Sequence, residues 1–396
     1  MILFTFHFTG YFTLYFQNQN RKLLYLYGAE VALFTLILLL YQIIYPKLSR
    51  LLLRNMLMLL AIGFIIQTRL SFDNTVRQVM IVGGSFFVGL FVPFMIRKVQ
   101  SLKNYGWYYG AAGILLLVLV LILGRTSNGA TNWIEIAGIS IQPSEFVKLL
   151  FVFSIAGLYS KKTDFRYVCI ISVLAGVTVI ILVLQRDLGG ALIFFVTYIF
   201  MLYAATARPL YLLSGLAGGS LAAVVAYQQF NHVRVRVLAW KNPFGYIDKE
   251  GYQITQSLFA IGTGGWFGMG LNRGLPTSIP VVNSDFVFSA ISEEMGGVIA
   301  ICIILIYASC FVMFLNIALD KEDAFYRLLA IGFAVMFSFQ VILSIGGVIK
   351  FIPSTGVTLP LISMGGSSAL SVVLMFMILQ GVSLVGKAKH NNTDHS

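Results

Sequence analysis

The stretch RYVCIISVLAGVTVIILVLQRDLGGALIFFVTYIFMLYAAT, residues 166–206, decides the fold. Two apolar runs, 166–184 and 188–206, flank a polar turn made by Gln185, Arg186 and Asp187. Each run is close to the ~20 residues a helix needs to cross the hydrocarbon core of a bilayer. Neither shows the strict alternation of a half-buried strand. The pair reads as two transmembrane helices joined by a short turn.

Working outward, the same pattern recurs. Apolar segments fall at about 25–45, 51–67, 77–96, 107–124, 145–160, 209–227, 286–316, 325–348 and 361–385, which with the first two makes eleven. The run at 286–316 is long enough to tilt or overrun the bilayer. The opening MILFTFHFTGYFTLYF is apolar and aromatic but short, and is expected to lie at the membrane interface, with a twelfth crossing as the alternative. Over all 396 residues, 58% are hydrophobic and 11% charged, against roughly 25% charged in soluble domains. That excludes a soluble enzyme, a disordered chain and a disulfide scaffold. Cys169, Cys302 and Cys310 sit inside apolar runs, and His7, His232, His390 and His395 have no metal-ligand spacing. The expected class is all-α and polytopic.

The net charge of +12 sets topology rather than nucleic-acid binding. The loops at 47–54, 97–103, 161–166, 208, 321–327 and 387–389 hold 14 of the 27 basic residues. The other 13 are spread over a far longer stretch, so the first set marks the cytoplasmic side. The opposite side then carries a loop at about 125–144, a long segment at about 228–285 and the Pro/Gly-rich stretch 350–368. Long loops in compact proteins carry function or are disordered. The runs WKNPFGY and GYQITQSLFAIGTGGWFGMG favour order.

Four constellations could carry chemistry there. Asp285, in VVNSDFVFSAISEE, lies between the long loop and an apolar helix; it reads as a helix cap or as a partly desolvated base. Glu293 and Glu294 further along read as structural partners. Glu145 and Lys148, in IQPSEFVKLLFVF, share one helix face at i,i+3, as a self-neutralising strut or with Lys148 turned to an anion. In FIPSTGVTLPLISMGGSSAL, residues 351–370, Pro353, Gly356, Pro360, Gly365 and Gly366 cannot share one regular helix. N–H groups near Gly365, Gly366, Ser367 and Ser368 could cradle a phosphate, or the small residues could make a packing corner. Asp187 reads first as the cap of the next helix. Arg234, Arg236, Lys241, Lys249 and Arg273 make the long loop basic, which suits a lipid pyrophosphate. No nucleotide loop, serine elbow or zinc motif is present.

The blocks NGATNWIEIAGISIQPSEFVKLLFV, QRDLGGALI, GYQITQSLFAIGTGGWFGMGL, NSDFVFSAISEEMGG and PSTGVTLPLISMGGSS resemble, in this order, those of the SEDS family (shape, elongation, division and sporulation), the FtsW/RodA type. The resemblance covers roughly residues 50–385. It implies ten core transmembrane helices with a large extracellular loop between the seventh and eighth, in a bacterial plasma membrane. The organisation expected is an N-terminal extension over 1–50 with an added helix, a core over 51–385 and a cytoplasmic tail over 386–396. The family implies a glycosyltransferase that polymerises lipid II beside a class B penicillin-binding protein. No resident cofactor is implied, although magnesium or manganese could assist at the pyrophosphate. The essential aspartate maps onto Asp285, and the acidic–basic pair onto Glu145 and Lys148. Substrate contacts are expected from Trp133, Gln142, Asp187, Gln256, Arg273, Thr355, Ser363 and Ser367. Three positions depart from the family: Arg186 for Pro, Asn132 for Arg and Ser344 for Asn. A lipid transporter and a non-catalytic scaffold are the competing readings.

Overall fold

In the computed structural model the described residues are 1–127, 130–136 and 139–386. Asn128, Gly129, Ala137 and Gly138, which belong to one family-like block, and the tail 387–396 with Lys387, Lys389, His390 and His395 lie outside them.

The chain is helical almost throughout. In order it forms α1 (Ile2–Asn18), α2 (Arg21–Ile44), α3 (Arg50–Leu70), α4 (Phe72–Gly89), α5 (Val92–Lys98) and α6 (Gly106–Leu123). Strands β1 (Arg125–Ser127), β2 (Ala130–Ile136) and β3 (Ile139–Ile141) follow. Then come α7 (Pro143–Tyr159), α8 (Phe165–Leu184), α9 (Leu188–Thr206), α10 (Pro209–Gln229), α11 (Asn231–Lys241), α12 (Tyr252–Gly264), α13 (Val287–Leu319), α14 (Ala324–Val348) and α15 (Gly366–Leu384). Among the described residues ten stretches are long and apolar enough to cross a membrane, with α4 and α5 counted as one. A helix closes its own backbone hydrogen bonds, which is what a lipid environment demands. All eleven apolar segments read from the sequence are helical. The 17-residue α7 is the one that falls outside the ten.

Three features depart from the sequence reading. The 125–144 loop is a three-stranded antiparallel sheet in the order β1-β2-β3, pairing Arg125 with Trp133 and Ile134 with Ile141. Within β2, Thr131, Trp133 and Ile134 are of the β-branched and aromatic kinds a pleated strand favours. The last helix begins at Gly366 rather than near 361, because Leu361 stands at φ 68. The third is a break inside α13, where Gly296 has φ 86 and ψ 170. The freed groups are taken by the loop after α12. Gly297 and Val298 N–H donate to the carbonyls of Gly265 (2.9 Å) and Trp266 (3.1 Å). Met269 and Gly270 N–H donate to the carbonyls of Glu293 (2.9 Å) and Glu294 (3.0 Å). The loop is spliced into the helix's own ladder.

The chain divides into two compact units. The first comprises Met1–Val88, Phe230–Cys310 and Gln340–Val373. Its centre is α3, whose Leu52, Met56, Leu60, Phe64 and Ile65 are fully enclosed. Against α3 lies the irregular segment 351–365: a Cβ on Gly63 would sit 2.9 Å from the Ile362 Cα and the Leu361 oxygen. Side chains take up its backbone groups. Tyr307 donates to Pro360 O (2.6 Å), Gln340 to Thr358 O (3.1 Å) and Gln78 to Ser363 O (3.0 Å), while Gly365 N–H donates to Gln78 Oε1 (3.2 Å). Irregular backbone at membrane depth survives through such burial.

The second unit comprises Gly89–Gln229, Phe311–Phe339 and the chain from Leu374. α6 and α7 approach closely, with a Cβ on Gly157 only 3.3 Å from the Gly106 Cα, as small residues permit. Phe314, Phe337 and Phe376 meet edge to face at centroid separations of 5.1–5.4 Å, the arrangement aromatic quadrupoles prefer.

Candidate active site

The long loop ends in a turn that places Asp285. Ser284 and Asp285 N–H groups both donate to the Val281 carbonyl, at 3.1 and 3.2 Å. The helix proper starts only at Val287. Its first free N–H groups go elsewhere: Ser289 donates to Phe286 O at 3.0 Å. Among the described hydrogen bonds none from α13 reaches the Asp285 carboxylate, so the capping reading of Asp285 is not what the structure shows. The residue is instead half-buried.

What surrounds it comes from two other parts of the first unit. A Cβ built on Gly356 would lie 3.5 Å from Asp285 Oδ2 and 3.6 Å from an Arg236 Nη2. Gly356 has φ 71, a region glycine enters without cost, so its bare backbone lies beside both charges. Burial pushes the Asp285 carboxyl above the usual aspartate range; a hydrogen bond from Ser284 and the positive charge of Arg236 draw it part of the way back. Next to Gly356, the Thr355 hydroxyl is buried with no hydrogen-bond partner. Ser363 accepts from Leu359 N (2.9 Å) and donates to the Ser284 carbonyl, tying the irregular segment to the Asp285 turn. Gln67 of α3 adds a second tie, donating to Asn283 O at 2.8 Å and Ile362 O at 3.3 Å. The result is a carboxylate held ready to accept a proton, with a guanidinium within reach of any anion that approaches it.

The structure thus brings Asp285, Thr355 and Ser363 together. Gln256 is half-buried on α12, Arg273 is exposed, and Ser367 is buried at the start of α15. The neighbouring Ser368 hydroxyl meets Thr358 at 3.2 Å, and Gly365 N–H is committed to Gln78, so protein groups already take part of the suggested phosphate cradle. Glu293 and Glu294 are structural, as read: Glu294 pairs with Arg69 (2.9 Å) and accepts from Asn272 N (3.0 Å), and Glu293 accepts from Leu275 N (3.0 Å). Arg236 and Gln67 were not singled out by the sequence. The first hid among five loop cations, and the second is one amide at the end of an apolar helix.

In the second unit, Lys148 donates to Glu145 at 2.8 Å, and both are only 5% exposed, which is the geometry of the strut. Gln142 precedes α7, and Trp133 is half-buried on β2 opposite Arg125. Asp187 caps α9, accepting from Gly190 N at 2.8 Å, and is also reached by Asn132 Nδ2 at 3.5 Å. Arg186 stands at φ 62. A pyrrolidine ring is locked near −65°, so this turn has a shape that proline cannot make.

Comparison with known proteins gives the family. The profile of FtsW, RodA and SpoVE proteins, described as "Cell cycle protein", matches residues 49–387. The peptidoglycan glycosyltransferase RodA of Mycobacterium tuberculosis is 36% identical over 307 residues, covering 73% of this chain and 66% of its own length. The chain therefore spans just under two thirds of that relative. Among solved structures, a peptidoglycan synthase complex that coordinates polymerization and crosslinking aligns with TM-score 0.73 at 26% identity, over 85% of this chain and 98% of its own. The rod shape determining protein RodA of Thermus thermophilus aligns with TM-score 0.65 at 25% identity, over 86% and 97%. The match leaves α1 and α2 outside it, and over the remainder this chain belongs to the FtsW/RodA/SpoVE family of multi-pass bacterial membrane proteins.

Proposed function

We propose that this chain polymerises lipid II into glycan strands, with Asp285 as the general base. The single observation that carries the reading is the half-buried Asp285 carboxylate, raised in basicity and set beside Arg236 and the open backbone of Gly356. The names of the relatives support the substrate class. In the reaction, Asp285 takes the proton of an acceptor sugar hydroxyl as that oxygen bonds to the anomeric carbon of the donor. The bond from that carbon to the lipid pyrophosphate breaks, the pyrophosphate leaves with the electron pair, and the configuration inverts. One carboxylate base suffices for inverting transfer. Arg236 lies where it would steady the negative charge that develops.

Among the described residues no three His, Cys, Asp or Glu gather where a metal ion could be held. Magnesium or manganese would take most of its ligands from the pyrophosphate oxygens themselves. Substrate contacts from Trp133, Gln142, Glu145, Lys148, Asp187, Gln256, Arg273, Thr355, Ser363 and Ser367 belong to the same proposal. So does a class B penicillin-binding protein as partner, which the likeness to a synthase complex supports.

The test is glycan synthesis from lipid II by the purified full chain in detergent, alone and with such a partner. Asp285→Asn is expected to lose roughly 10²–10⁴ in rate with its thermal unfolding unchanged. Wild-type chain synthesis by that variant would remove the assignment. Lipid II translocation in vesicles without any glycan product would replace it with transport.

A further inference from the structure

Three consecutive residues at the C-terminal end of α3 reach three different parts of the first unit. Gln67 donates to the Asn283 and Ile362 carbonyls, at 2.8 and 3.3 Å. Arg69 holds Glu294 at 2.9 Å and the Gly274 carbonyl at 3.2 Å. Between them, Thr68 meets the Tyr11 hydroxyl at 2.8 Å. Tyr11 spends its own proton on Glu30 Oε1 at 2.7 Å, so the Thr68 hydroxyl is the donor in that pair. Glu30 Oε2 in turn meets His7 Nε2 at 2.7 Å, and both side chains are 0% exposed. The chain His7–Glu30–Tyr11–Thr68 thus runs from α1 through α2 to α3. α1 is pressed against α3 as well, since a Cβ on Gly10 would lie 2.7 Å from Ile65 Cδ1. At its far end, Asn18 Oδ1 accepts from Asn272 Nδ2 at 3.3 Å.

The family match begins at residue 49, so this hairpin is an addition to the shared core. In lipid, leucines gain little by moving from acyl chains to a helix interface, so hydrogen bonds between helices carry more of the association. The directional hydrogen bonds of such a network also fix one register and one rotation. Here that register is imposed next door to Gln67, which grips the carbonyl two residues before Asp285.

We propose that the α1–α2 hairpin is a positioning element for the active-site turn, with Tyr11 and Thr68 setting the last turn of α3 so that Gln67 holds Asn283 and aims Asp285. The functional part of this claim rests on the reading of Asp285 as the base. Tyr11, Thr68 and Gln67 are positioning residues that act through the turn and touch no substrate.

The test uses the full chain and lipid II. Tyr11→Phe and Thr68→Val each delete one hydroxyl of the same hydrogen bond. Each is expected to lower kcat about three- to tenfold, the size of effect a slightly misplaced catalytic group brings, with the KM for lipid II within about twofold. The double variant is expected to be no worse than the poorer single one, since both remove one interaction. Glu30→Gln keeps volume and both hydrogen bonds when its amide oxygen accepts from His7 Nε2 and its amide N–H donates to the Tyr11 oxygen, whose proton then turns to Thr68, and is expected to retain near-wild-type kcat. Independently of activity, amide exchange over residues 281–286 is expected to quicken in Tyr11→Phe, because the Ser284 and Asp285 N–H bonds to Val281 O loosen. Unchanged exchange there, multiplicative losses in the double variant, or a lower unfolding temperature with unchanged kcat would each overturn the proposal. An active Asp285→Asn control sinks the base assignment instead, and the exchange data still decide whether the hairpin holds the turn.

Discussion

Removing the charge of Arg236 gives the sharpest test of the site. Asp285 Oδ2 and an Arg236 Nη2 each lie within 3.6 Å of the same point beside Gly356. The two charges are therefore no more than about 7 Å apart, where a unit pair is worth roughly 0.6–2.4 kcal/mol between effective dielectrics of 80 and 20. One pKa unit corresponds to about 1.4 kcal/mol, and both side chains are half-buried, so the lower part of that range applies. The sign follows from the base's role. In the role proposed for it, Asp285 works only when ionised; burial raises its pKa, and Arg236 opposes that rise. Arg236→Gln therefore raises the pKa further, and the acid limb of kcat/KM against pH is expected to move up by about half to one unit. Arg236→Lys keeps the charge and is expected to leave the limb in place. The assay is the initial rate of glycan formation across the acid range at low salt; added salt is expected to narrow the difference. A limb that stays put in Arg236→Gln, or moves down, refutes the electrostatic coupling of this pair, whatever happens to the plateau rate.

Three further outcomes probe the frame around the site. Glu294→Gln leaves the Arg69 guanidinium, itself 14% exposed, without its anion, and is expected to cost roughly 2–3 kcal/mol by thermal unfolding; an unchanged Tm would mean that the pair contributes nothing. Gly296→Ala adds a Cβ against the backbone of Phe267 and Gly268 at φ 86, and is expected to lose about 2 kcal/mol or more; wild-type stability would argue against the splice of the 265–270 loop into α13. Arg186→Pro demands a φ of the opposite sign and removes the Arg186 N–H to Val183 O bond of 2.9 Å. It is expected to cost about 3 kcal/mol, and a stable variant would show that the turn can rebuild itself.

The helices were legible because apolar runs of membrane length have few other uses. The break at Gly296 was not legible. A glycine inside MGGVIAICII looks like any small residue in a transmembrane helix, and its φ of 86 is set by a loop about 30 residues earlier that supplies hydrogen bonds to the opened ladder. The β-sheet was hidden for a related reason: each strand is short, and β1 and β3 have three residues each, too few for an alternation to show.

For Asp285 the obstacle was chemical. A helix cap and a base at a helix start need the same short carboxylate in the same place, so local sequence cannot separate them. The difference lies in where the helix begins. With the Ser284 and Asp285 N–H groups both turned back to Val281 O and the helix deferred to Val287, the carboxylate has no N–H of α13 to accept. That turn is in turn held from outside by Gln67 and Ser363, on segments more than 70 residues away in either direction along the chain. A residue whose local role is withheld by distant contacts is free to serve an incoming substrate, and those contacts are visible only once the chain is folded.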